Sequence, residues 1–499
     1  MIGFTKGKLY RIYSAYILFV ILSITIAACD STDDETAGKQ TGTFSNDELA
    51  DSLQDSTDDL PAMLERRIIR VLVSYNQTNF FSVGGDKKGF EYELMKKFEA
   101  YINKTMRHNK LDVHVVFITA PFSQLIQKLL DGKGDIVAAG LTVTPERKEE
   151  VSFSRPYIKN INEIVVSSTD AGELNNVKDL SGKNVIVTKG SSYVEHLQRL
   201  NGQLAKQDLD PVDINIADQY LVTEDLLQMV NAGIYPYTIA DSHIAELWSS
   251  ALSDIKLQKS AVINEGGQIA WAVRKNNPKL LAALNKFSRK HQQGTLLGNI
   301  LIKRYYENTK WVVNPLTEDR QEQLAKYYEL FKKYGAQYHF DWQLLAALAF
   351  QESKLNQNAK SSVGAVGIMQ IKPSTAASKN VGITQVKSNA EKNIHAGTKY
   401  LAFLRDRYFA DGSLDPLDQF AFTAAAYNAG PAKVRRLRKQ TRANGLNPDK
   451  WFDNVEHMAM KSVGTETVRY VSNIYKYFVS YKSIDQTLAR RKKAIKQNQ

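Results

Sequence analysis

The sequence predicts two folded regions in tandem, an α/β region followed by a mainly α-helical one. Three observations carry this expectation. The chain has 499 residues, more than one hydrophobic core accommodates. Between about Leu64 and Gly140, β-rich runs alternate with segments of helical period. From Leu316 to Ser353 the pattern is helical throughout. With 43% hydrophobic and 10% aromatic residues, the composition is that of ordinary globular protein.

At the N-terminus, Lys6, Lys8 and Arg11 precede a mostly apolar run from Ile12 to Ala28, which stops at Cys29, the only cysteine. A basic segment, an apolar segment and small residues before a cut form the layout of a secretory signal. The run is short for a spanning helix. "ITIAAC" resembles the signal of bacterial lipoproteins, with Ile26 where leucine is usual. The resemblance implies a signal peptide over 1–29, with lipidation at Cys29 anchoring the protein to a membrane; Asp30 just after the cysteine leaves the choice of membrane open. Residues 30–63 follow as an acidic linker. Asp30 to Leu60 carries ten acids against one lysine and has little to bury, which predicts a disordered, self-repelling tether.

In the first folded region, "IIRVLVSY" (68–75) and "LDVHVVFIT" (111–119) are strand signals, and "GFEYELMKKFEAYINK" (89–104) has helical period. "FSQLIQKLLDGKGDIVAAG" predicts a helix, a glycine-containing turn and a buried strand. "GLTVTPERKEEVSFSRPYI", "VIVTKGSSY" and "YTIADS" follow in that order. On these motifs the span resembles the amino-acid-binding periplasmic solute-binding proteins, and a domain over 64–309 is expected. The resemblance implies two α/β lobes around a cleft, with crossings near Asn162 and Ile263. It further implies that Arg147 holds a ligand carboxylate, a task suited to a planar guanidinium. Gly140 and Thr142 would add contacts, Ser191 and Ser192 would reach in from the second lobe, and Asp241 would pair with an α-amino group. Asp241 could instead cap the helix that begins at Ser242, and Arg147 could be a solvated charge among Glu146, Glu149 and Glu150. The ligand expected is an amino acid or a wall-derived peptide.

The charge is uneven. From Trp311 onward there are 29 basic and 16 acidic residues, against 36 and 37 before it, so the net +12 belongs to the C-terminal part. A basic domain suits a polyanionic partner, and an exported location excludes nucleic acid. After a linker over 310–320, Asp341 is an expected helix N-cap. Leu344, Leu348 and Glu352 recur at i, i+4, i+8, which puts the acid on an apolar stripe. Desolvation there would disfavour the charged carboxylate and raise its pKa, a property of a general acid, whereas a glutamate at a helix end could instead bend out to solvent.

"ESKLNQNAKSSVGAVGIMQIKPSTA" (352–376), "AYNAGPAKV" (426–434) and "ETVRYVSNIYKY" (466–477) complete a series. In that order they resemble the lytic transglycosylase (SLT) domain, a lysozyme-like helical fold that cleaves peptidoglycan, here expected over 321–482 with a basic tail at 483–499. The resemblance places the catalytic acid on Glu352 and glycan-binding roles on Ser361, Gln370, Tyr427, Asn428, Glu466 and Tyr470. Lys372 stands where the family often has methionine. It also implies non-hydrolytic cleavage between N-acetylmuramic acid and N-acetylglucosamine, the muramyl C6 hydroxyl closing onto C1. One acid then suffices where many glycosidases need two carboxylates. No metal or cofactor is expected, and the partners are glycan strands, a small ligand and the membrane. Competing readings are a wall-gripping signalling lipoprotein, a transport receptor and a true hydrolase. "KVRRLRK" (433–439) and "ARRKKAIKQ" are expected to be solvated basic faces.

Overall fold

The computed structural model describes residues 54–83, 86–106, 111–308, 318–410, 412–462 and 465–497. For 82, 83, 318–321, 461, 462, 465 and 483–497 only the backbone is described. Cys29 and most of the acidic segment lie outside the described residues.

The end of that segment is ordered, which corrects the expected tether. Arg70 donates to the carbonyls of Gln54 and Ser56, and Asn277 donates to those of Thr57 and Asp58. Asp59 accepts from the backbone of Leu60 at the start of α1 (Leu60–Glu65). It also accepts from Lys279 and Leu280, in the first turn of a later helix. One acid thus caps two helices, and Leu60 and Met63 are buried beneath it. An acid count sees only repulsion here. The caps supply the compensating contacts.

The first domain has two five-stranded sheets. In one, β1 (Ile68–Val73) pairs in parallel with β4 (His114–Thr119) and β5 (Ile136–Val137). β12 (Ala272–Arg274) and β6 (Val151–Phe153) close this sheet in antiparallel fashion. In the other, β7 (Ile158–Ser168) lies between β11 (Ile255–Ile269) and β10 (Tyr237–Asp241), followed by β8 (Asn184–Val187) and β9 (Asp213–Ile216). A hairpin, β2 (Phe81–Val83) with β3 (Asp86–Lys88), stands apart from both. Helices α2 (Phe90–Thr105), α3 (Leu125–Leu130) and α4 (Pro145–Glu150) belong to the first lobe. α5 (Ser192–Ala205), α6 (Thr223–Asn231) and α7 (Ser242–Ser249) belong to the second, and α8 (Pro278–His291) and α9 (Leu296–Tyr306) return to the first. β1 is buried along its whole length, as a strand covered on both faces must be. The two lobes are joined by the long strands β7 and β11, whose pairing slips at several points between Gln258 and Gln268. Asn162 accepts from Gly266 across this pair, so the crossings fall where the sequence put them.

The second domain is helical: α10 (Glu318–Tyr338), α11 (Trp342–Ser353), α12 (Pro373–Ala377), α13 (Ala390–Tyr408), α14 (Pro416–Ala429), α15 (Pro431–Ala443), α16 (Glu456–Ser462) and α17 (Thr465–Gln497). The helical stretch into Ser353 is two helices, the second starting at Asp341 as expected. His339 takes a positive φ of 57°, and Asp341 accepts from Gln343 to start α11. The expected basic tail continues α17 as far as Gln497. None of the described helices is long and apolar enough to cross a membrane.

The domains touch through α17 and the turn before α16. Tyr220 of the second lobe packs on Phe452 and Tyr475, with ring centroids 4.6 and 4.9 Å away. Lys476 pairs with Asp225 at 3.1 Å and donates to the Tyr75 carbonyl, so one side chain holds both lobes. Lys128 of the first lobe pairs with Asp453 at 3.1 Å.

Candidate active site and ligand cleft

α11 carries Glu352 one residue before its end. The helix is buried around nearly its whole circumference, Leu345 to Phe350 without interruption, so the expected stripe is part of a helix enclosed on most sides. Lys354 then turns into the left-handed region (φ 57°) and stops it. Glu352 is part-buried. Burial pushes its carboxyl up to about 7, against opposing effects from a Tyr470 hydrogen bond and the Lys354 ammonium. Among the described residues no second carboxylate acts on it. Tyr470 Oη donates to Glu352 Oε1 at 2.5 Å. Burial, and then the neighbouring Glu352, hold that phenol well above its usual range, so it stays a donor.

The loop after Glu352 is fixed by residues the motif reading did not single out. Ser353 Oγ donates to the Ile368 carbonyl at 2.7 Å and accepts from Asn356. Asn393, fully buried on α13, donates to the carbonyls of Val366 and Val386 and accepts from Met369. Gly367 is required beside it. At φ +76°, a Cβ there would lie 2.2 Å from Asn393 Nδ2. Ser353 is adjacent to the acid and could have been noticed, whereas nothing in the sequence links Asn393 to a loop some 25 positions earlier.

The candidate residues divide by where their polar atoms go. Ser361 Oγ accepts from Ala365, and Gln370 Nε2 donates to the carbonyls of Ala359 and Gly367, so both hold the loop's shape. Tyr427 Oη donates to the Met369 carbonyl at 2.7 Å, with its ring close enough for Glu352 to act on its phenol. Asn428 is exposed at the end of α14 and accepts from Thr467. Glu466 is exposed in the first turn of α17, four residues before Tyr470. Lys372 is exposed at the start of α12. Tyr470→Phe removes the hydrogen bond that favours the charged carboxylate. The alkaline limb of the pH–rate profile should therefore move to higher pH, with a fall in rate of about tenfold. A limb that stays put or moves to lower pH would contradict this geometry.

In the first domain the structure brings Gly140, Thr142, Arg147, Ser191, Ser192 and Asp241 together around a cavity of about 60 Å³ between the lobes. Arg147 is buried and bridges them, donating to the carbonyls of Thr142 (2.6 Å) and Gly190 (2.9 Å). It is no solvated surface charge. Asp241 precedes α7 without capping it through its side chain. Its Oδ1 is buried without a partner. Burial and then the nearby Glu163 push its carboxyl up to about 8. Ser191 and Ser192 stand at the start of α5, but their hydroxyls donate to the Thr188 carbonyl and to Glu163, so neither offers its proton to the cavity. Three further residues matter here. Glu91 is buried and accepts from the Gly140 backbone, setting the cavity wall. Glu224 and His243 line the cavity, and burial pushes the imidazole down to about 4.

One group among the described residues could place metal-ligating atoms within 4.8 Å of one another: Asp453, Glu456 and His457. The Lys128 ammonium lies on Asp453, where an ion would have to sit.

Two family models match. Residues 68–306 match the bacterial extracellular solute-binding proteins, family 3, and residues 329–449 match the transglycosylase SLT domain. A lone desolvated glutamate in the second domain and an interlobe cleft in the first define the class: a lytic transglycosylase joined to a solute-binding domain. Among curated relatives, membrane-bound lytic murein transglycosylase F of Pseudomonas fluorescens (strain Pf0-1) is 30% identical over 449 residues, covering 84% of this chain and 86% of that protein. The protein of that name from Alteromonas mediterranea is 27% identical, covering 94% of this chain and 96% of its own length. The chain belongs to the membrane-bound lytic murein transglycosylase F family. Among solved structures, a mutant of ArgBP from T. maritima is 23% identical with a TM-score of 0.41, covering 50% of this chain and 99% of that one.

Proposed function

We propose that the second domain cleaves the β-1,4 bond between N-acetylmuramic acid and N-acetylglucosamine of peptidoglycan without water, leaving 1,6-anhydromuramyl ends. The observation that carries this is Glu352, a single carboxyl held near neutrality and hydrogen-bonded by Tyr470. Near pH 7 such a group is protonated often enough to donate to the glycosidic oxygen. Once ionised, it accepts the proton of the muramyl C6 hydroxyl as that oxygen closes onto C1. The proton balance closes on one residue, because the nucleophile belongs to the sugar. Tyr470 orients the carboxyl. Tyr427, Asn428 and Glu466 are assigned to the glycan, and Ser361 and Gln370 shape the wall it lies against.

The first domain is read as a sensor that holds a small carboxylate- and amine-bearing ligand between Arg147 and Asp241, an amino acid or a wall-derived peptide. Arg147 already spans the lobes, and Lys476 ties both lobes to the helix that carries Tyr470, which supports a link between cleft and acid. The N-terminal pattern supports lipid anchoring at Cys29, and the resemblance to lytic transglycosylases favours the outer membrane, facing the periplasm.

Digesting purified peptidoglycan and weighing the products tests the reaction. Anhydro ends, about 18 Da lighter than hydrolytic ones because no water is added, are expected. Reducing ends would make the enzyme a hydrolase, and intact glycan would make it a binding protein.

A further inference from the structure

We propose that the basic groove on α15 is a subsite for the carboxylates of the peptide stems that peptidoglycan carries, reached along an aromatic row that starts beside the catalytic acid. This rests on the peptidoglycan reading above. α15 buries Val434, Leu437 and Thr441 and contains no acidic residue. Its cations face outward, and Arg435, Arg438, Lys439 and Arg442 line a groove of about 260 Å³ with Tyr408 and Pro448. Arg438 forms the floor. It donates to the Pro448 carbonyl, pairs with Asp449 and lies 5.1 Å over the Phe422 ring. The Asp449 charge is thereby spent on Arg438. Arg435, Lys439 and Arg442 are exposed around that floor.

The groove is joined to the active site. Tyr427 lies beside Glu352, and the Tyr400 ring is 5.5 Å from it. Phe403 stacks 6.2 Å beyond, and Tyr408, the aromatic wall of the groove, follows at 6.2 Å. All four rings are part-buried and pack against the core of the helical domain. A glycan laid on such rings uses their apolar bodies. A stem hanging from it meets guanidinium groups, whose planar donors match carboxylates. An anionic membrane would also attract these cations. A recessed site with an aromatic wall, at the end of a row leading from Glu352, suits a flexible acidic side branch better than a flat bilayer surface.

The test uses the full chain in co-sedimentation with three partners: intact sacculi, sacculi stripped of their stems by an amidase, and phosphatidylglycerol vesicles. The double variant Arg435→Glu/Lys439→Glu alters the groove. Lys433→Glu/Arg436→Glu makes the same change of charge at exposed positions outside the groove. The groove variant should bind intact sacculi roughly five- to tenfold more weakly than the parent, the difference closing on stripped sacculi, with the control variant near the parent. An equal loss on stripped sacculi, an equal loss in the control, or no loss at all overturns the subsite. A loss confined to vesicles makes the face a membrane contact instead. If the parent neither binds nor cleaves any sacculi, the peptidoglycan reading itself fails.

Discussion

Glu352→Gln should remove glycan cleavage, by about 10²- to 10⁴-fold, and at the same time make the protein harder to unfold above pH 7. The two effects share one cause. Burial raises the carboxyl from its ordinary 4.5 to about 7, so the folded state prefers the protonated form. Between those values the folded protein holds a proton that the unfolded chain has released. Stability is therefore lost as pH rises from about 4.5 through 7, and the loss is complete above that. Glutamine keeps the shape and carries no charge. Its melting temperature should match the parent's at pH 4 and exceed it at pH 8. Measured melting curves across that range, with cleavage assayed in parallel, decide the matter. Equal stabilities at pH 8 would mean that the carboxyl is not desolvated, and residual cleavage near the parent's would remove it from the acid's role.

Arg147→Met should open the cleft of the first domain. The guanidinium satisfies carbonyls in both lobes, Thr142 on one side and Gly190 on the other. Methionine removes that donor from both carbonyls, at a cost of about 1–3 kcal/mol for the buried Thr142 while the lobes stay closed. Opening lets water reach them, so small-angle scattering should show a larger radius of gyration for the variant. Titration with free L-amino acids should show affinity lower by roughly 10- to 150-fold for any that bind the parent. Asp241 adds a pH signature. Its carboxyl, pushed up to about 8, must ionise to meet an ammonium group. Binding below that pH should release a proton, with affinity rising as pH approaches 8. Unchanged scattering together with unchanged affinity would return Arg147 to a structural role.

Much of this was legible in the chain. Strand and helix periods located β1, α2 and β4, and Asp341 marked the start of α11, because backbone caps and burial periods are local properties. Glu352 shared a stripe with Leu344 and Leu348, and the motif series after it singled it out as the acid. The desolvation itself comes from helices distant in sequence, and α17 brings Tyr470 to it from 118 positions away. The same limit explains what the sequence missed. Ser192 lines the cleft, but only the fold shows its hydroxyl proton given to Glu163 at 2.7 Å. The acidic segment looked unstructured up to residue 63 until Asp59 met the first turn of α8.

The sequence, through its resemblance to two families, determined the two domain types, singled out Glu352 and named six of the residues that gather at the interlobe cavity. All of these follow from motifs whose order is fixed along the chain. Only the tertiary structure decided which polar atoms remain free and which are spent. It alone revealed that Arg147 spans the lobes, that Ser361 and Gln370 serve their own loop, and that Lys476 joins both lobes to the helix bearing Tyr470. The physical reason is that a hydrogen-bonding side chain has few partners to give, and which neighbour claims them is set by packing between segments far apart in sequence.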